Sequence, residues 1–209
     1  MPALLPNKLG LTDAIELAHR EELLTKRRAL ELYDKRLLEQ LDVGTFQSLA
    51  SIHGYLFQDV YDFAGKLRTV NIAKGNFRFA PVLYLKEALA SIDGMPQTTF
   101  DEIVEKYVEM NVAHPFREGN GRSTRIWLDA IFRKELKEAV DWSHVDKEDY
   151  LLAMERSPVR DTEIKHLLAK AMTTDVENRE VFMKGIDASY RYEGYHTYPT
   201  KTIDLDLRT

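Results

Sequence analysis

Apolar residues recur every three or four positions along most of this 209-residue chain, the spacing that places them on one face of an α-helix. After Thr45, a suitable helix cap, such a face comprises Phe46, Leu49, Ala50, His53, Leu56 and Phe57, so His53 is expected to be a core histidine. A charged helix is predicted from a cap at Thr12 to about Gln40. Further helices are predicted over residues 82–93, 100–113, 121–137, 146–156, 161–172 and 178–193. The pattern therefore predicts an all-α fold.

Residues 67–80 interrupt the helical pattern. Two runs, 67–72 and 77–79, flank the turn-forming sequence Lys74-Gly75-Asn76. Runs rich in β-branched and aromatic residues around a glycine turn are typical of a β-hairpin. No other segment shows this pattern, so one short hairpin is expected in an otherwise helical protein.

The chain shows no internal repeat, low-complexity tract or linker, so residues 1–209 are interpreted as a single domain. The final segment, 195–209, lacks apolar periodicity, and we expect a mobile tail or an interface arm there.

The composition is that of an ordinary globular protein, with 30% charged and 44% hydrophobic residues. A net charge of −5 gives no broad basic surface, which argues against nucleic acid as a partner. The absence of cysteine excludes disulfides and cysteine-based metal or redox sites. We find neither a signal peptide nor an apolar run long enough for a membrane, so we expect no membrane partner and a cytoplasmic location.

The densest set of chemically useful residues lies at 114–125, which reads His-Pro-Phe-Arg-Glu-Gly-Asn-Gly-Arg-Ser-Thr-Arg. Pro115 disfavours the helical conformation at His114, so the preceding helix should end near Ala113 and leave the imidazole in a loop. The run Gly119, Asn120, Gly121 tolerates positive φ and can turn backbone N–H groups inward as a nest for anions. The next helix begins at once, and its N-terminal N–H groups face the same nest.

Charged residues complete this segment. Arg122 and Arg125, three apart in the first helical turn, can both reach one extended anion. Glu118 is the only acid in the loop, and a carboxylate beside phosphate oxygens is a usual way for proteins to hold Mg²⁺. Asn111, one turn before His114, is a candidate for a ribose or loop-ordering contact, and a simple helix-end cap is equally open. Each feature also has a structural explanation, but together they predict a polyphosphate site with a base beside it.

The segment resembles the signature of the Fic family, His-x-Phe-x-(Asp/Glu)-Gly-Asn-Gly-Arg-x-x-Arg, and every defined position from His114 to Arg125 matches. Glu118 stands where Asp is the commoner family residue. The resemblance implies a Fic-type helical bundle with a hairpin flap, and transfer of AMP from ATP to a hydroxyl of another protein. It further implies His114 as the general base, Mg²⁺ on Glu118, and a triphosphate held by both arginines and the 119–121 nest.

The resemblance also concerns partners. In the family, the flap aligns the target by strand pairing, so a target protein is expected to dock on the 67–80 hairpin, where Lys74 and Gly75 could contact nucleotide or target. Relatives also move phosphoryl and phosphocholine groups. A phosphotransferase, or a catalytically silent nucleotide-binding module, therefore stays open as an alternative, as does a homo-oligomer.

A second resemblance lies at 189–194, Ser-Tyr-Arg-Tyr-Glu-Gly, which fits the inhibitory pattern of autoinhibited Fic proteins: Ser or Thr, three residues, Glu, then Gly or Asn. Ser189 and Glu193 share a helix face, and Gly194 is a natural helix stop. The resemblance implies that 178–194 is a C-terminal inhibitory helix whose Glu193 bonds Arg125 and occupies the place of the ATP γ-phosphate. Tyr190 is predicted to be the first site of self-modification when this helix loosens.

Overall fold

A buried helix, α5 (Asn120–Glu135), forms the centre of the molecule. The computed structural model describes residues 4–75, 77–195 and 197–208. Helices α2 (Phe46–Phe57), α4 (Phe100–Ala113) and α8 (Arg179–Tyr192) pack against α5. The other helices are α1 (Ala14–Asp34), α3 (Leu85–Asp93), α6 (Lys147–Arg156), α7 (Thr162–Lys170) and α9 (Thr200–Arg208). This architecture confirms the all-α class. Within the described residues, no helix combines the length and the apolar character that crossing a membrane requires.

Helix α1 is shorter than the sequence pattern predicted. Its cap is Asp13 rather than Thr12, because the Asp13 carboxylate accepts hydrogen bonds from the N–H groups of Ile15 and Glu16. The helix ends at Asp34, and Arg36 then adopts a left-handed backbone with φ of 53°. A short 3₁₀ helix, Leu37–Gln40, follows, so the stretch up to Gln40 is helical but not continuous with α1.

The helix before the 114–125 segment follows the prediction closely. Thr99 and Glu102 form a capping box at its start, and α4 ends at Ala113 as Pro115 indicated. His114 caps the helix in a left-handed conformation, with φ of 47° and ψ of 63°. Its N–H donates to the Met110 carbonyl at 3.0 Å, so the backbone of His114 is fixed by the helix it ends.

The β structure differs from the prediction in extent. Antiparallel strands β1 (Ala73–Lys74) and β2 (Phe77–Arg78) pair across the turn, whereas residues 67–72 form no strand. We call residues 67–80 the flap. A second antiparallel pair, β3 (Ala139–Val140) with β4 (Met172–Thr173), shows that the expectation of a single β element was wrong. A strand of two residues is too short to show the alternation of apolar and polar positions by which strands are recognised in a sequence.

The segment after α8 contains a helix that the sequence pattern did not predict, and it contacts α1 and α8. The expectation of a mobile tail or an interface arm over 195–209 stays a prediction. Helix α9 packs against both helices, and Thr200 and Ile203 are buried. The N–H groups of Thr197 and Tyr198 donate to the carboxylate of Glu22 on α1. We call residues 197–204 the strap. Its helix escaped prediction because so short an element offers little periodicity.

Candidate active site

Arg122 lies in the first turn of α5, and its side chain is fully buried. Three carboxylates surround it. Glu21 of α1 binds Nη1, Glu118 accepts from Nη2 at 3.3 Å, and a carboxylate oxygen of Glu193 lies 2.8 Å from Nε. A buried guanidinium needs compensating anions, and here α1, the loop at 114–119 and the end of α8 supply one each. We call residues 114–119 the motif loop.

Arg125, 5% exposed, reaches the end of α8. Its Nε donates to the Ser189 hydroxyl at 2.7 Å, and its Nη2 donates to the Ser189 carbonyl and to Oε1 of Glu193, both at 2.9 Å. Glu193 is the cap residue of α8, and Gly194 follows it with φ of 92°. The sequence pointed to the pair of Glu193 with Arg125, whereas the contact with Arg122 was not foreseen. One carboxylate is thus shared by both arginines.

The absent side chain of Gly121 makes room for this carboxylate. A Cβ added there would lie 2.3 Å from Oε1 of Glu193 and 3.1 Å from either terminal nitrogen of Arg125. Gly121 is helical, so it serves close approach rather than the positive φ expected of the whole run. Gly119 alone of this run has positive φ, 75°, and a Cβ there would meet the Phe57 ring at 2.2 Å.

Glu193 is ionised in this position. Burial alone would raise the pKa of its carboxyl, but the positive charges of Arg122 and Arg125 outweigh burial, and the pKa lies below its usual value of 4.5. A charged carboxylate between two arginines presents oxygens much as a phosphate group does. The start of α5 is therefore an anion site, and α8 supplies the anion.

The imidazole of His114 stacks on the flap, with 3.6 Å between its centroid and that of the Phe79 ring. Nδ1 lies 3.2 Å from the carbonyl of Asn111, which can only accept, so Nδ1 carries the proton and Nε2 keeps its lone pair. For Asn111 the structure thus shows an ordering contact, made by its backbone. Burial lowers the pKa of His114 to about 4, so the ring is neutral at physiological pH, as a general base must be.

Arg68, which sequence analysis missed, ties the flap to the motif loop. It is 4% exposed, and its guanidinium donates to the carbonyls of Val70, Ala80, Ala113 and His114, the last at 2.8 Å. Four carbonyls from two segments converge on one side chain, so Arg68 holds the flap against the end of α4. No local pattern marks such a residue, because its partners lie up to 46 positions away.

Glu21 is the second residue that sequence analysis missed. It is 2% exposed on α1, where it accepts from the Tyr61 hydroxyl as well as from Arg122. In the sequence it stands among other charged residues of α1 and looks like part of a solvated helix face. Its partner Arg122 is 101 positions away, so only the fold reveals the contact.

Glu118 is the residue expected to hold Mg²⁺. Its side chain is 40% exposed, and Oε1 accepts from the Gly119 N–H at 3.0 Å and from Arg122. Burial raises the pKa of Glu118, against the lowering effect of Arg122. In residues 4–75, 77–195 and 197–208, no cluster of three or more histidine or acidic side chains could hold a metal by itself. An Mg²⁺ ion on Glu118 would fit only with phosphate oxygens and water as its other ligands, a usual arrangement for this ion.

Buried contacts fix the motif loop. Phe116 is fully buried and stacks on His53, with 3.8 Å between ring centroids. Nδ1 of His53 accepts from the Gly65 N–H, so Nε2 donates to the Glu118 carbonyl at 2.8 Å. This neutral, fully buried imidazole agrees with the core position predicted for His53. The side-chain amide of Asn120 makes two hydrogen bonds to the backbone of Phe116. Oδ1 accepts from the Phe116 N–H, and Nδ2 donates to the Phe116 carbonyl, both at 2.8 Å. Asn120 therefore orders the loop through its side chain.

The remaining candidates lie around this centre. Lys74 and Gly75 are exposed at the turn of the flap, where Gly75 has φ of 58°. The positive charge of Lys74 contributes to lowering the pKa values of His114 and Glu193. For His114, burial is the larger cause. Tyr190 is fully buried, and its hydroxyl donates to Oγ1 of Thr25 at 2.6 Å. No reagent could reach Tyr190 while α8 is docked.

Sequence comparisons identify the family and the relatives of this chain. A model of the Fic/DOC family matches residues 44–132. The probable protein adenylyltransferase y4lH of Sinorhizobium fredii is 33% identical over 167 residues, which cover 73% of this chain and 82% of that protein. The protein adenylyltransferase VbhT of Bartonella schoenbuchensis is 29% identical over 187 residues, 84% of this chain. The chain spans only 38% of the length of VbhT.

Solved structures share the fold. The BepC protein of Bartonella tribocorum, crystallised with bound AMPPNP, superposes with a TM-score of 0.68 at 19% identity, covering 81% of this chain and 92% of that one. The N-terminal FIC domain of Bep8 from Bartonella sp. 1-1C gives a TM-score of 0.69 at 18% identity, covering 87% and 94%. These neighbours confirm the Fic-type helical fold. Given its matching family segment and the extent of its similarity to y4lH, the chain belongs to the Fic/DOC family.

Proposed function

We propose that this chain is an autoinhibited protein adenylyltransferase, which transfers AMP from ATP to a Ser, Thr or Tyr hydroxyl of a target protein. One observation carries the proposal: the carboxylate of Glu193 lies between Arg122 and Arg125, where a phosphate would bind. A neutral imidazole, that of His114, accompanies this anion site. The names of the relatives y4lH and VbhT support the same chemistry.

In the reaction, the hydroxyl oxygen of the target attacks the α-phosphorus of ATP in line with the bond to pyrophosphate. Nε2 of His114 takes the hydroxyl proton as the new P–O bond forms, the bond to the bridging oxygen breaks, and pyrophosphate leaves. A well-placed general base contributes about 10²- to 10⁴-fold to such a rate. The edge of the flap would hold the target segment by main-chain pairing.

The same anion site would bind the nucleotide. Arg122, Arg125 and the first N–H groups of α5 would hold the triphosphate in the orientation that the attack requires. Glu118 would hold Mg²⁺, whose charge neutralises the phosphate oxygens. Lys74 and Gly75 lie on the side of the site where the flap would meet nucleotide and target.

In this proposal Glu193 inhibits by occupying the place of the γ-phosphate. Charge pairs that exclude water contribute about 2–3 kcal/mol. A preference of that size for the docked state leaves roughly one molecule in thirty to one in a hundred and fifty competent to bind ATP productively. Wild-type protein should therefore show a slow background activity.

The test is intact-protein mass spectrometry after incubation with ATP, Mg²⁺ and host lysate. Glu193→Gly should raise AMP transfer by some tens-fold, and Glu193→Gln should do so partly, because it keeps the shape but not the charge. Glu180→Gln is the matched control, since it removes an exposed carboxylate from the same helix. Glu193→Gly/His114→Ala should abolish transfer and retain ATP binding in calorimetry, because the arginines are unchanged.

Three outcomes would overturn the proposal. Addition of phosphate in place of AMP would make the chain a phosphotransferase. ATP binding by Glu193→Gly without any turnover would make it a silent nucleotide-binding module. Equal loss of binding and turnover in the His114→Ala background would make His114 a structural residue.

A further inference from the structure

A cavity of about 590 Å³ lies at the C-terminal half of α5, on the opposite end of that helix from the active site. The end of α1, the 3₁₀ helix Leu37–Gln40 and residues 176–177 enclose it together with α5. This volume is within the range of about 300–1,000 Å³ that is typical of small-molecule sites. Its lining includes none of the active-site residues described above.

The acidic residues of the cavity are already paired. Asp34 binds Arg179, with 2.7 Å between carboxylate and guanidinium. Glu39 and Glu177 both pair with Arg36. Each carboxylate of the lining therefore has a cationic partner, although Arg36 serves two of them.

The other cations of the lining are Arg133, Lys134 and Lys137, at the end of α5 and just after it, and Arg133 pairs with Asp129 at 3.4 Å. In the described part of the chain, neither lysine forms an ion pair, and Lys137 Nζ donates only to the Lys134 carbonyl, at 2.9 Å. Nε of Arg133 is shielded from solvent and finds no hydrogen-bond partner among the described residues. The terminal nitrogens of Arg133 are bound by Asp129 and by the Val176 carbonyl, so Lys134 and Lys137 are the cations of the lining that have no carboxylate partner among the described residues.

The backbone of the cavity is also unusual. Arg36 and Lys137 have left-handed backbones, with φ of 53° and 59°, which residues other than glycine adopt at a cost. Among the described residues, the one other non-glycine residue with positive φ is His114, in the active site. Arg36 and Lys137 directly follow the C-caps of α1 and α5, where a left-handed residue commonly ends a helix. The rest of the wall is apolar, and includes Leu32, Leu38, Leu41, Val43 and Ala130.

We propose that this cavity binds an organic anion with an apolar body, of the medium-chain fatty-acid class. Its carboxylate would bind Lys134 and Lys137, and its hydrocarbon chain would lie on the apolar wall. A charged head on a hydrophobic body matches the two halves of the lining. Binding of this ligand does not depend on the proposed function.

Occupancy of the cavity is coupled to α8. Residues 176–177, which close the cavity, lead directly into the cap of α8 at Asn178. The Tyr33 hydroxyl donates to the Glu177 carbonyl at 2.8 Å, and the Tyr33 ring packs on Phe182 of α8 at 4.7 Å between centroids. A ligand that uses these walls binds the docked form of α8 more tightly, and by linkage it must stabilise docking.

Titration calorimetry with decanoate, below the concentration at which it forms micelles, tests the proposal. Wild-type protein should bind one decanoate saturably, and Lys134→Gln/Lys137→Asn should weaken binding at least tenfold; Asn is chosen at position 137 because it tolerates a left-handed backbone. Lys86→Gln/Lys170→Gln, which removes two lysines distant from the cavity lining, should bind within about twofold of wild type. Decanol, which lacks the charge, and acetate, which lacks the apolar body, should each bind at least tenfold more weakly.

Hydrogen exchange locates the ligand without relying on activity. Decanoate should slow the exchange of backbone amides in 176–182 in wild type and leave them unchanged in the Lys134→Gln/Lys137→Asn variant. Absence of saturable binding, equal binding by both double variants, or protection confined to the motif loop would each overturn the proposal.

Discussion

At the level of single residues, Arg125 makes the site selective for one bound anion at a time. When Glu193 leaves, Arg122 keeps the carboxylates of Glu21 and Glu118, but Arg125 loses its carboxylate partner among the described residues. An uncompensated buried guanidinium is strongly destabilising. The undocked state therefore favours any phosphate that restores the negative charge, which makes nucleotide binding and release of α8 mutually supportive.

The pKa of Glu193 predicts how docking depends on pH. Because the folded pKa lies below the usual 4.5, the stabilisation by this carboxylate is fully present above pH 4.5 and is lost as the pH falls through the lowered folded value. The melting temperature of wild type should exceed that of Glu193→Gln at neutral pH, and the difference should shrink below pH 4.5. A difference that stays constant across this range would show that Glu193 does not act through its charge.

The tyrosines around Glu193 predict a time course. When α8 undocks, Tyr190, Tyr192 and Tyr195 are held at high effective concentration near an active site, so self-adenylylation is expected, first on Tyr190. Because Tyr190 is fully buried in the docked state, a modified Tyr190 could not return to its place against Thr25, and activity should rise with time. Peptide mapping and a progress curve check this. AMP found only far from 189–195, or a linear curve without a lag, would contradict it.

At the level of elements, the strap holds the start and the middle of α8, and it also contacts α1. Asp187 of α8 accepts from the N–H and the hydroxyl of Thr200 at the start of α9 and from Lys26 of α1. Arg179, at the start of α8, pairs with Asp204 of the strap at 2.8 Å. Contacts outside the 189–194 segment thus hold the helix that carries the proposed inhibitory residues.

Asp187→Ala should loosen α8 without touching the active site. Loss of a helix cap costs about 0.5–2 kcal/mol, so we expect amide exchange in the last two turns of α8 to accelerate by roughly two- to thirty-fold. AMP transfer should rise by a similar factor. Asp62→Ala, at a carboxylate whose side chain is 90% exposed, is the control. Unchanged exchange in α8 would mean that the strap does not secure the helix.

The elements differ in how far the sequence could predict them. The capping box of Thr99 and Glu102 and the cap at Thr45 depend on residues three apart, so local rules identified α4 and α2. The pair β3–β4 joins residues more than thirty positions apart through two-residue strands, and its local sequence carries no signal. The helix α9 depends on Glu22, Asp187 and α1 for its place, which no local pattern encodes.

At the level of the whole molecule, the same limit applies to the site. The chemistry-bearing residues of the motif loop and α5 are contiguous in sequence, so they could be identified together. Glu21 and Arg68 could not, because Glu21 contacts Arg122 across 101 positions and Arg68 contacts His114 across 46. The sequence thus predicts the groups that would act on a substrate better than the groups that hold them in place.

The absence of a side chain at Gly121 has a consequence for how inhibition would depend on the concentrations of nucleotide and protein. Oε1 of Glu193 occupies this space, so under the proposed function the Glu193 carboxylate and a nucleotide phosphate would compete for it. The competing carboxylate belongs to the same chain, and diluting the protein does not lower its local concentration. The extent of inhibition should then be independent of protein concentration, and it should decline as the nucleotide concentration rises. The apparent dissociation constant of the nucleotide should equal its intrinsic value divided by the fraction of molecules that are competent to bind it. Under the proposed function, the protein would respond to the supply of its own substrate.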